Sequence, residues 1–316
     1  MTHYVSFPGL FDHIFKLNQV AFHIGSWPIR WYGVLLASAF LLAAVYVMRR
    51  ASQFETDADT VIDLLLIALP CAVVGARLYY VINSWDYYSQ HLGDIVKIWK
   101  GGLAIYGGVI VGILVVLLFG RRNRQRFNTL SFLDVGALGL LIGQIIGRWG
   151  NFVNGEAFGR ATDLPWGMVI ADTATTAGTA VHPTFLYESL WNLLGFVVLH
   201  FYSKHRKFRG EIFAWYGVWY GFGRGIIEGL RTDSLYLGST DIRISQVVGF
   251  ASFALGALFL LFLYVTKKYR QIPALRLDHP GLEPREQPEA IEPQADLEKP
   301  EPEAQEDGQE PKDRES

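Results

Sequence analysis

The 316-residue sequence predicts an all-α integral membrane protein of about seven transmembrane helices, with a small extracytoplasmic head and a disordered acidic C-terminal tail. Three observations carry that expectation. Hydrophobic residues make up 51% of the chain and the mean hydropathy is positive, a composition typical of multi-spanning proteins. Apolar runs of about 20 residues recur along the chain, long enough to cross the hydrocarbon as helix. The runs also lack the polar/apolar alternation of a spanning barrel. Because lipid offers the backbone no hydrogen-bond partner, helix is the conformation left to them.

In order, the expected spans run roughly over 30–48, 60–82, 102–119, 133–152, 183–202, 211–231 and 244–266. The first 29 residues lack the basic start and short apolar core of a cleavable signal, so the run beginning at Arg30 is expected to be retained. The single cysteine, Cys71, falls in the middle of the second run. It excludes an internal disulfide and a Cys-rich metal site, and reads as a small packing residue.

The net charge of −2 hides a division. Residues 271–316 hold 14 acidic and 5 basic residues, a net −9, which leaves +7 on residues 1–270. The tail is rich in Pro, Glu and Gln and cannot bury enough surface to fold alone. Residues 1–270 are therefore expected to form the membrane domain, with the head at about 155–181. Residues 271–316 are expected to be a solvated extension. Basic clusters at Arg49–Arg50, at 121–126, at 204–209 and at Lys267–Arg270 follow the first, third, fifth and seventh spans. Lys and Arg in short loops mark the cytoplasmic side. That orientation places the N-terminus outside and the C-terminus in the cytoplasm.

The polar residues that interrupt the spans then all fall in the outer half of the membrane. Tyr32 opens the first span and Arg77 lies near the end of the second; Tyr106 lies in the outer turns of the third. Arg148, Asn151 and Asn154 end the fourth, His182, Tyr187 and Glu188 open the fifth, and Arg224, Glu228 and Arg231 close the sixth. Snorkelling accommodates Arg231 and Arg77, but not a cluster spread over five helices, which should face the interior and pair. Gln144, Arg148 and Asn151 share one helix face, as do Tyr216, Tyr220, Arg224 and Glu228, with Arg224 able to pair with Glu228 within its own helix. Glycines spaced by four at 139/143/147, 108/112 and 221/225 read as close-packing seams.

Arginines and amides beside lipid suit an anionic headgroup, since guanidinium forks match phosphate oxygens and stabilise a departing phosphate. HExxH, an Asp/Glu ladder and helically spaced His pairs do not occur, so no metal is expected. A phosphate loop does not occur either, and YGFGRG at 220–225 lies inside an apolar run. Residue chemistry alone leaves two classes: an enzyme acting on an anionic phospholipid, or a transporter or flippase of an anionic lipid. The absence of a convincing internal repeat and the off-centre charges favour the enzyme.

GRWGNFVNGEAFG at 147–159 resembles the signature of the prolipoprotein diacylglyceryl transferase family, Gly-Arg-x-Gly/Ala-Asn-Phe-apolar-Asn-x-Glu-x-x-Gly. The similarity continues through RWYG at 30–33, GARLYY at 75–80, GGLAIYGG at 101–108, DLPWG at 163–167, HPTFLYE at 182–188 and YGFGRGIIEGLR at 220–231. It covers nearly the whole chain except the tail. The resemblance implies transfer of a diacylglyceryl group from phosphatidylglycerol to the thiol of the lipobox cysteine in a prolipoprotein signal peptide, releasing glycerol phosphate. It also implies a bacterial cytoplasmic (inner) membrane setting, membrane lipids as neighbours, no cofactor and no nucleic acid.

Matched by position, Arg148 resembles the arginine that contacts the headgroup, with Asn151, Asn154 and Glu156 shaping its site. Arg224 resembles the second essential arginine, with Tyr220 one turn before it, and Tyr32 matches the tyrosine of the first span. Arg77, His182, Glu188, Glu228 and Arg231 complete the expected substrate-binding set. Many members carry His-Gly-Gly where this chain has Tyr106-Gly107-Gly108. That makes Tyr106 the third catalytic candidate, as thiol activator or as a hydrogen-bonding group that orients substrate. His182, Glu156 and the departing phosphate are the other candidate proton acceptors. The stretch 84–100, with its DIVKIWK pattern, is expected to be a short amphipathic surface helix or a connecting arm.

Overall fold

The computed structural model describes residues 2–124, 126–236 and 240–269. The expected disordered tail, 271–316, lies outside the described residues. Among the described residues there are seven long helices: α1 (Trp31–Arg50), α2 (Ala58–Asn83), α4 (Ile105–Arg122), α5 (Thr129–Asn154), α6 (Thr184–Tyr202), α7 (Glu211–Glu228) and α8 (Ile244–Thr266). A one-turn helix, α3 (Trp85–Tyr88), follows α2. Five of the long helices, α1 with the turn to Phe54, α2, α4, α5 and α8, are long and apolar enough to cross a membrane. The other two, α6 and α7, have 19 and 18 residues. Their apolar runs are broken by Glu188, Asn192 and His200 in α6, and by Glu211, Arg224 and Glu228 in α7.

Local chemistry starts and stops these helices. Asp57 caps α2, accepting from the Thr60 amide at 2.6 Å and from its hydroxyl at 2.7 Å. Asn128 caps α5 by accepting from the Ser131 amide at 3.1 Å. Gly155, at φ +68°, turns the chain out of α5 in a left-handed conformation that glycine adopts without steric cost. That turn delivers the signature segment to the end of the bundle.

The central helix is α5, which packs on α1, α6 and α7, while α2 pairs with α4 and α7 with α8. The α7–α8 seam depends on glycine: a methyl at Gly221 would lie 2.5 Å from the Gly249 carbonyl oxygen. The α5 glycines face α1, where a methyl on Gly139 would lie 2.8 Å from Val47, but a methyl on Gly143 or on Gly112 of α4 would meet nothing within 4 Å among the described residues. The tightest point of the α2–α4 seam is at Gly75 and Gly107, where a methyl on Gly75 would meet the Gly107 carbonyl oxygen at 2.8 Å. Of the expected Gly108/Gly112 stripe, Gly108 also faces α2, where a methyl would lie 3.3 Å from the Ala72 carbonyl oxygen, while Gly112 lies off the seam. Much of the remaining apolar surface is exposed, including Leu41, Leu66, Ile105, Leu118, Leu255 and Val265.

The expectation of an all-α fold is corrected by five strands. β1 (Thr2–Phe7) and β2 (Phe11–Asn18) form an antiparallel hairpin, and β3 (Val20–Ile24) pairs with β4 (Trp27–Arg30). β5 (Val169–Ala171) adds to the other edge of β1, with Val5 opposite Ile170. These runs are too short to span a membrane, and β1 is held on one edge by a partner about 165 residues away, a pairing that local periodicity does not reveal. The sheet packs Val5 and Met168 against Phe185 at the start of α6, with Phe152 from the end of α5 beside them. The region expected as a head is thus joined to the N-terminal strands.

The 84–100 segment is not a continuous amphipathic helix. It consists of α3 and short 3-10 turns at Leu92–Asp94 and Ile98–Lys100, folded back over the end of α2. At the opposite end of the bundle, several of the basic residues that follow α1 and α6 make specific contacts. Arg50 bonds Ser203 at 3.1 Å, Arg206 pairs with buried Asp134 at 3.0 Å, and Arg209 pairs with Glu55 at 2.6 Å. Burial opposes the charge on Glu55, but hydrogen bonds from Arg209 and Ser131 outweigh it and hold the carboxyl below its usual range.

Candidate active site

Three helices bring their charged residues to one point. Antiparallel packing of α5 on α6 stacks Phe152 on Phe185 at 4.5 Å and sets the Ser189 hydroxyl to donate to the Ile145 carbonyl at 3.0 Å. That register places Glu188 of α6 beside Arg148 of α5, with Arg148 Nη2 2.6 Å from Glu188 Oε1. From α7, Arg224 Nη1 reaches Glu188 Oε2 at 3.0 Å, and its Nη2 reaches Glu228 Oε2 at 2.7 Å, the intrahelical pair expected from spacing. Glu188 is thus a shared counter-ion. Its side chain is 3% exposed, against 12% for Arg224 and 19% for Arg148.

The two arginines are not equivalent. Arg224 commits both terminal nitrogens to carboxylates. Arg148 commits one; its Nη1 faces the Asn151 amide oxygen at 3.5 Å, the edge of hydrogen-bonding range. The more accessible arginine therefore retains donors for an incoming anion.

Around Arg148 the signature segment builds a polar wall. The side-chain amides of Asn151 and Asn154 donate to Glu156 Oε1 at 2.9 and 3.2 Å. Gln19, between β2 and β3, donates to the Asn154 carbonyl at 3.2 Å. The ring of Tyr32 of α1 packs against Gly150, where a methyl would come within 2.7 Å of it. The charged groups acting on its hydroxyl are Glu156 and Arg148. One turn beneath the arginines, Gln144 donates to the Tyr216 hydroxyl at 2.8 Å, and Tyr216 stacks on Tyr220 with centroids 5.5 Å apart. The two polar faces expected on α5 and α7 therefore meet.

The remaining predicted residues divide. Arg231 forks onto Asp233 at 2.9 and 3.0 Å and lies 3.9 Å from Glu228, so it closes the end of the same ionic chain. Burial opposes the charge on Asp233, yet Arg231 holds that carboxyl below the usual range. His182 accepts or donates at Nδ1 with the Tyr187 hydroxyl, 3.2 Å away, and that hydroxyl accepts from Trp166 at 2.7 Å. Burial, and then the Arg160 charge, hold His182 below the usual histidine range, favouring the neutral ring. The loop carrying Gly159 is sewn to both helix ends, with the Gly159 amide on the His182 carbonyl at 2.9 Å and the Arg160 amide on the Leu230 carbonyl at 2.8 Å.

Two predicted residues stand apart. Arg77, 6% exposed, spends its guanidinium on the carbonyls of Ile95 and Asp94 at 2.7 Å and of Gly101 and Gly102 at 2.8 Å. It clamps the 92–102 segment. Tyr106, on α4, lies 6.5 Å from the Tyr79 ring, and none of its described contacts reaches the arginines. Sequence reasoning passed over Asp233, Arg243, which donates to the Glu228 carbonyl at 2.6 Å, and Gln19. Only Asp233, two residues after an arginine, left a local signal.

A family model described as prolipoprotein diacylglyceryl transferase matches residues 19–262. A Streptococcus pneumoniae (strain JJA) protein named phosphatidylglycerol–prolipoprotein diacylglyceryl transferase is 45% identical over 252 residues, covering 78% of this chain and 94% of that relative. A Listeria monocytogenes serotype 4a (strain HCC23) protein of the same name is 45% identical over 238 residues, covering 73% of this chain and 84% of its own. With Arg148 of the signature and Arg224 gathered on one buried carboxylate, and with these relatives matched over most of their length, the chain belongs to the prolipoprotein diacylglyceryl transferase family.

Proposed function

We propose that the Arg148–Glu188–Arg224 centre is where this bacterial membrane transferase moves a diacylglyceryl group from phosphatidylglycerol to a prolipoprotein. The observation that carries the reading is the single carboxylate, Glu188, paired with both arginines at 2.6 and 3.0 Å. The lipid phosphate docks on the free arm of Arg148, while Glu188, paired with both arginines, holds the two forks in place. Asn151, Asn154 and Glu156 shape the headgroup wall, with Tyr32 and Tyr220 closing it from α1 and α7. Glu228 and Arg231 fix Arg224 from the far side. Arg77 contributes indirectly, by holding the 92–102 segment.

The acceptor is the lipobox cysteine of a signal peptide. Its thiolate attacks the glycerol carbon bonded to the phosphate oxygen; the S–C bond forms, the C–O bond breaks, and the electron pair leaves on glycerol phosphate. Positive charge at the leaving oxygen lowers the barrier because charge grows there in the transition state. The thiol proton goes to His182, whose neutral ring is available, or to the departing phosphate. Tyr106 orients substrate by hydrogen bond, since a phenol with a usual pKa near 10 is a poor base at neutral pH.

The arrangement fits seven spans, with the N-terminus and the strand-built head outside, the membrane domain over 1–270, and an acidic cytoplasmic tail at 271–316. The setting is the cytoplasmic membrane. The test incubates purified protein with phosphatidylglycerol vesicles and a lipobox peptide. Thioether product and glycerol phosphate should appear together and vanish when the peptide cysteine is serine. Lipid binding or translocation without glycerol phosphate release would overturn the reading.

A further inference from the structure

One residue of the buried stripe on α6 is unaccounted for by the ionic centre. The stripe runs Thr184, Glu188, Asn192, Gly195 and Leu199, and Asn192 is 0% exposed. Both polar atoms of its side chain, Oδ1 and Nδ2, lack a hydrogen-bond partner among the described residues. A fully buried amide with four unmet hydrogen-bonding positions costs about 1–3 kcal/mol per unsatisfied group. Such a cost is tolerated where function requires it.

The position follows from helix register. Glu188 lies opposite Arg148, and α5 and α6 run antiparallel, so one turn inward from Glu188 comes Asn192 and one turn inward from Arg148 comes Gln144. Gln144 gives its amide N–H to Tyr216, leaving Oε1 buried and without a hydrogen-bond partner among the described residues. On α7, the residue one turn inward from Arg224 is Tyr220, stacked on Tyr216. A neutral polar layer thus underlies the ionic layer, about 6 Å deeper at the helical rise of 1.5 Å per residue.

In a glycerophospholipid the acyl ester carbonyls lie at a comparable step below the phosphate, and they accept hydrogen bonds without donating any. Asn192 Nδ2 is a donor at that depth, on the helix that carries the arginines' shared counter-ion. We propose that Asn192 recognises the ester linkage of the lipid donor, donating to an acyl carbonyl while the phosphate is held by Arg148. This rests on the transferase reading above. It makes Asn192 a specificity-determining residue, selecting diacyl over dialkyl glycerol lipids.

The experiment compares dioleoyl phosphatidylglycerol with the dialkyl ether analogue of equal chain length, using full-length protein in vesicles and a lipobox peptide. Wild-type kcat/KM should favour the diester by about tenfold, the worth of one well-formed buried hydrogen bond. Asn192→Leu should bring the ratio to about one by slowing the diester alone, and Asn192→Ser, which keeps a donor, should retain part of the preference. A wild-type ratio near one, a ratio unchanged in Asn192→Leu, or equal slowing on both lipids overturns the proposal. The wild-type ratio and Asn192→Ser decide the matter even where Asn192→Leu does not fold. Failure of the wild type to form thioether from the diester would instead defeat the transferase reading itself.

Discussion

Replacing Glu188 with Gln separates the two arginines from their shared counter-ion while keeping side-chain volume. The carboxylate, 3% exposed, loses charge-assisted contacts at 2.6 Å to Arg148 and 3.0 Å to Arg224. Removing one partner of a buried pair costs about 3–5 kcal/mol. The lower end applies here, because Gln keeps an acceptor oxygen, Arg148 is 19% exposed, and Arg224 retains Glu228 at 2.7 Å. If about 3 kcal/mol of positioning is lost from the transition state, kcat falls about 100-fold. KM for phosphatidylglycerol should not rise, because deleting an anion beside Arg148 favours an anionic lipid. The assay follows glycerol phosphate release and peptide lipidation over a lipid titration, with thermal unfolding measured separately. Wild-type kcat in the Glu188→Gln variant would refute the argument. So would a large rise in KM at unchanged kcat, which would mean that Glu188 supports ground-state binding alone.

Three further outcomes are expected. Gly159→Ala places a methyl 2.7 Å from His182 Cβ and 3.1 Å from the Leu230 carbonyl oxygen; the loop must shift, and activity should fall at least tenfold with membrane insertion intact, as judged by expression in the membrane fraction. Arg77→Lys exchanges a fork that bonds four carbonyls for a single ammonium, and should cost about 2–3 kcal/mol locally. Hydrogen exchange over residues 92–102 should accelerate, and unchanged protection there would contradict the clamp. His182 is held below its unfolded value near 6.5, so the unfolded chain takes up the proton first. Its contribution to stability is complete above about pH 6.5 and is lost as pH falls through the folded value. The melting-temperature gap between wild type and His182→Gln should therefore narrow from about pH 7.5 to about pH 5.5, and a constant gap would remove His182 from the pH dependence.

Much of the bundle was legible before any coordinates. Apolar runs marked the seven long helices within a few residues of where they lie, and five of them are long and apolar enough to cross a membrane, because a span must be apolar over a fixed length whatever it packs against. The i, i+4 rule likewise anticipated the Arg224–Glu228 pair and the shared face of Gln144, Arg148 and Asn151. The strands were not legible: β1 is held on one side by the adjacent β2 but on the other by β5, more than 160 residues away. Nor was the close approach of α2 and α4 at Gly75 and Gly107, since which glycine of a stripe meets its neighbour most closely depends on helix rotation.

The candidate centre divides along the same line. The linear chain specified its chemistry, two arginines, their amides and their acids near helix ends, because residue type and helical spacing are local properties. Tertiary packing assigned the roles. It made Glu188 the counter-ion of both arginines, turned Arg77 into a clamp on backbone carbonyls, left Tyr106 apart on α4, and buried Asn192 without a hydrogen-bond partner among the described residues. Each of those outcomes depends on the rotation and depth of one helix against another, and packing sets these through contacts between residues far apart in the chain.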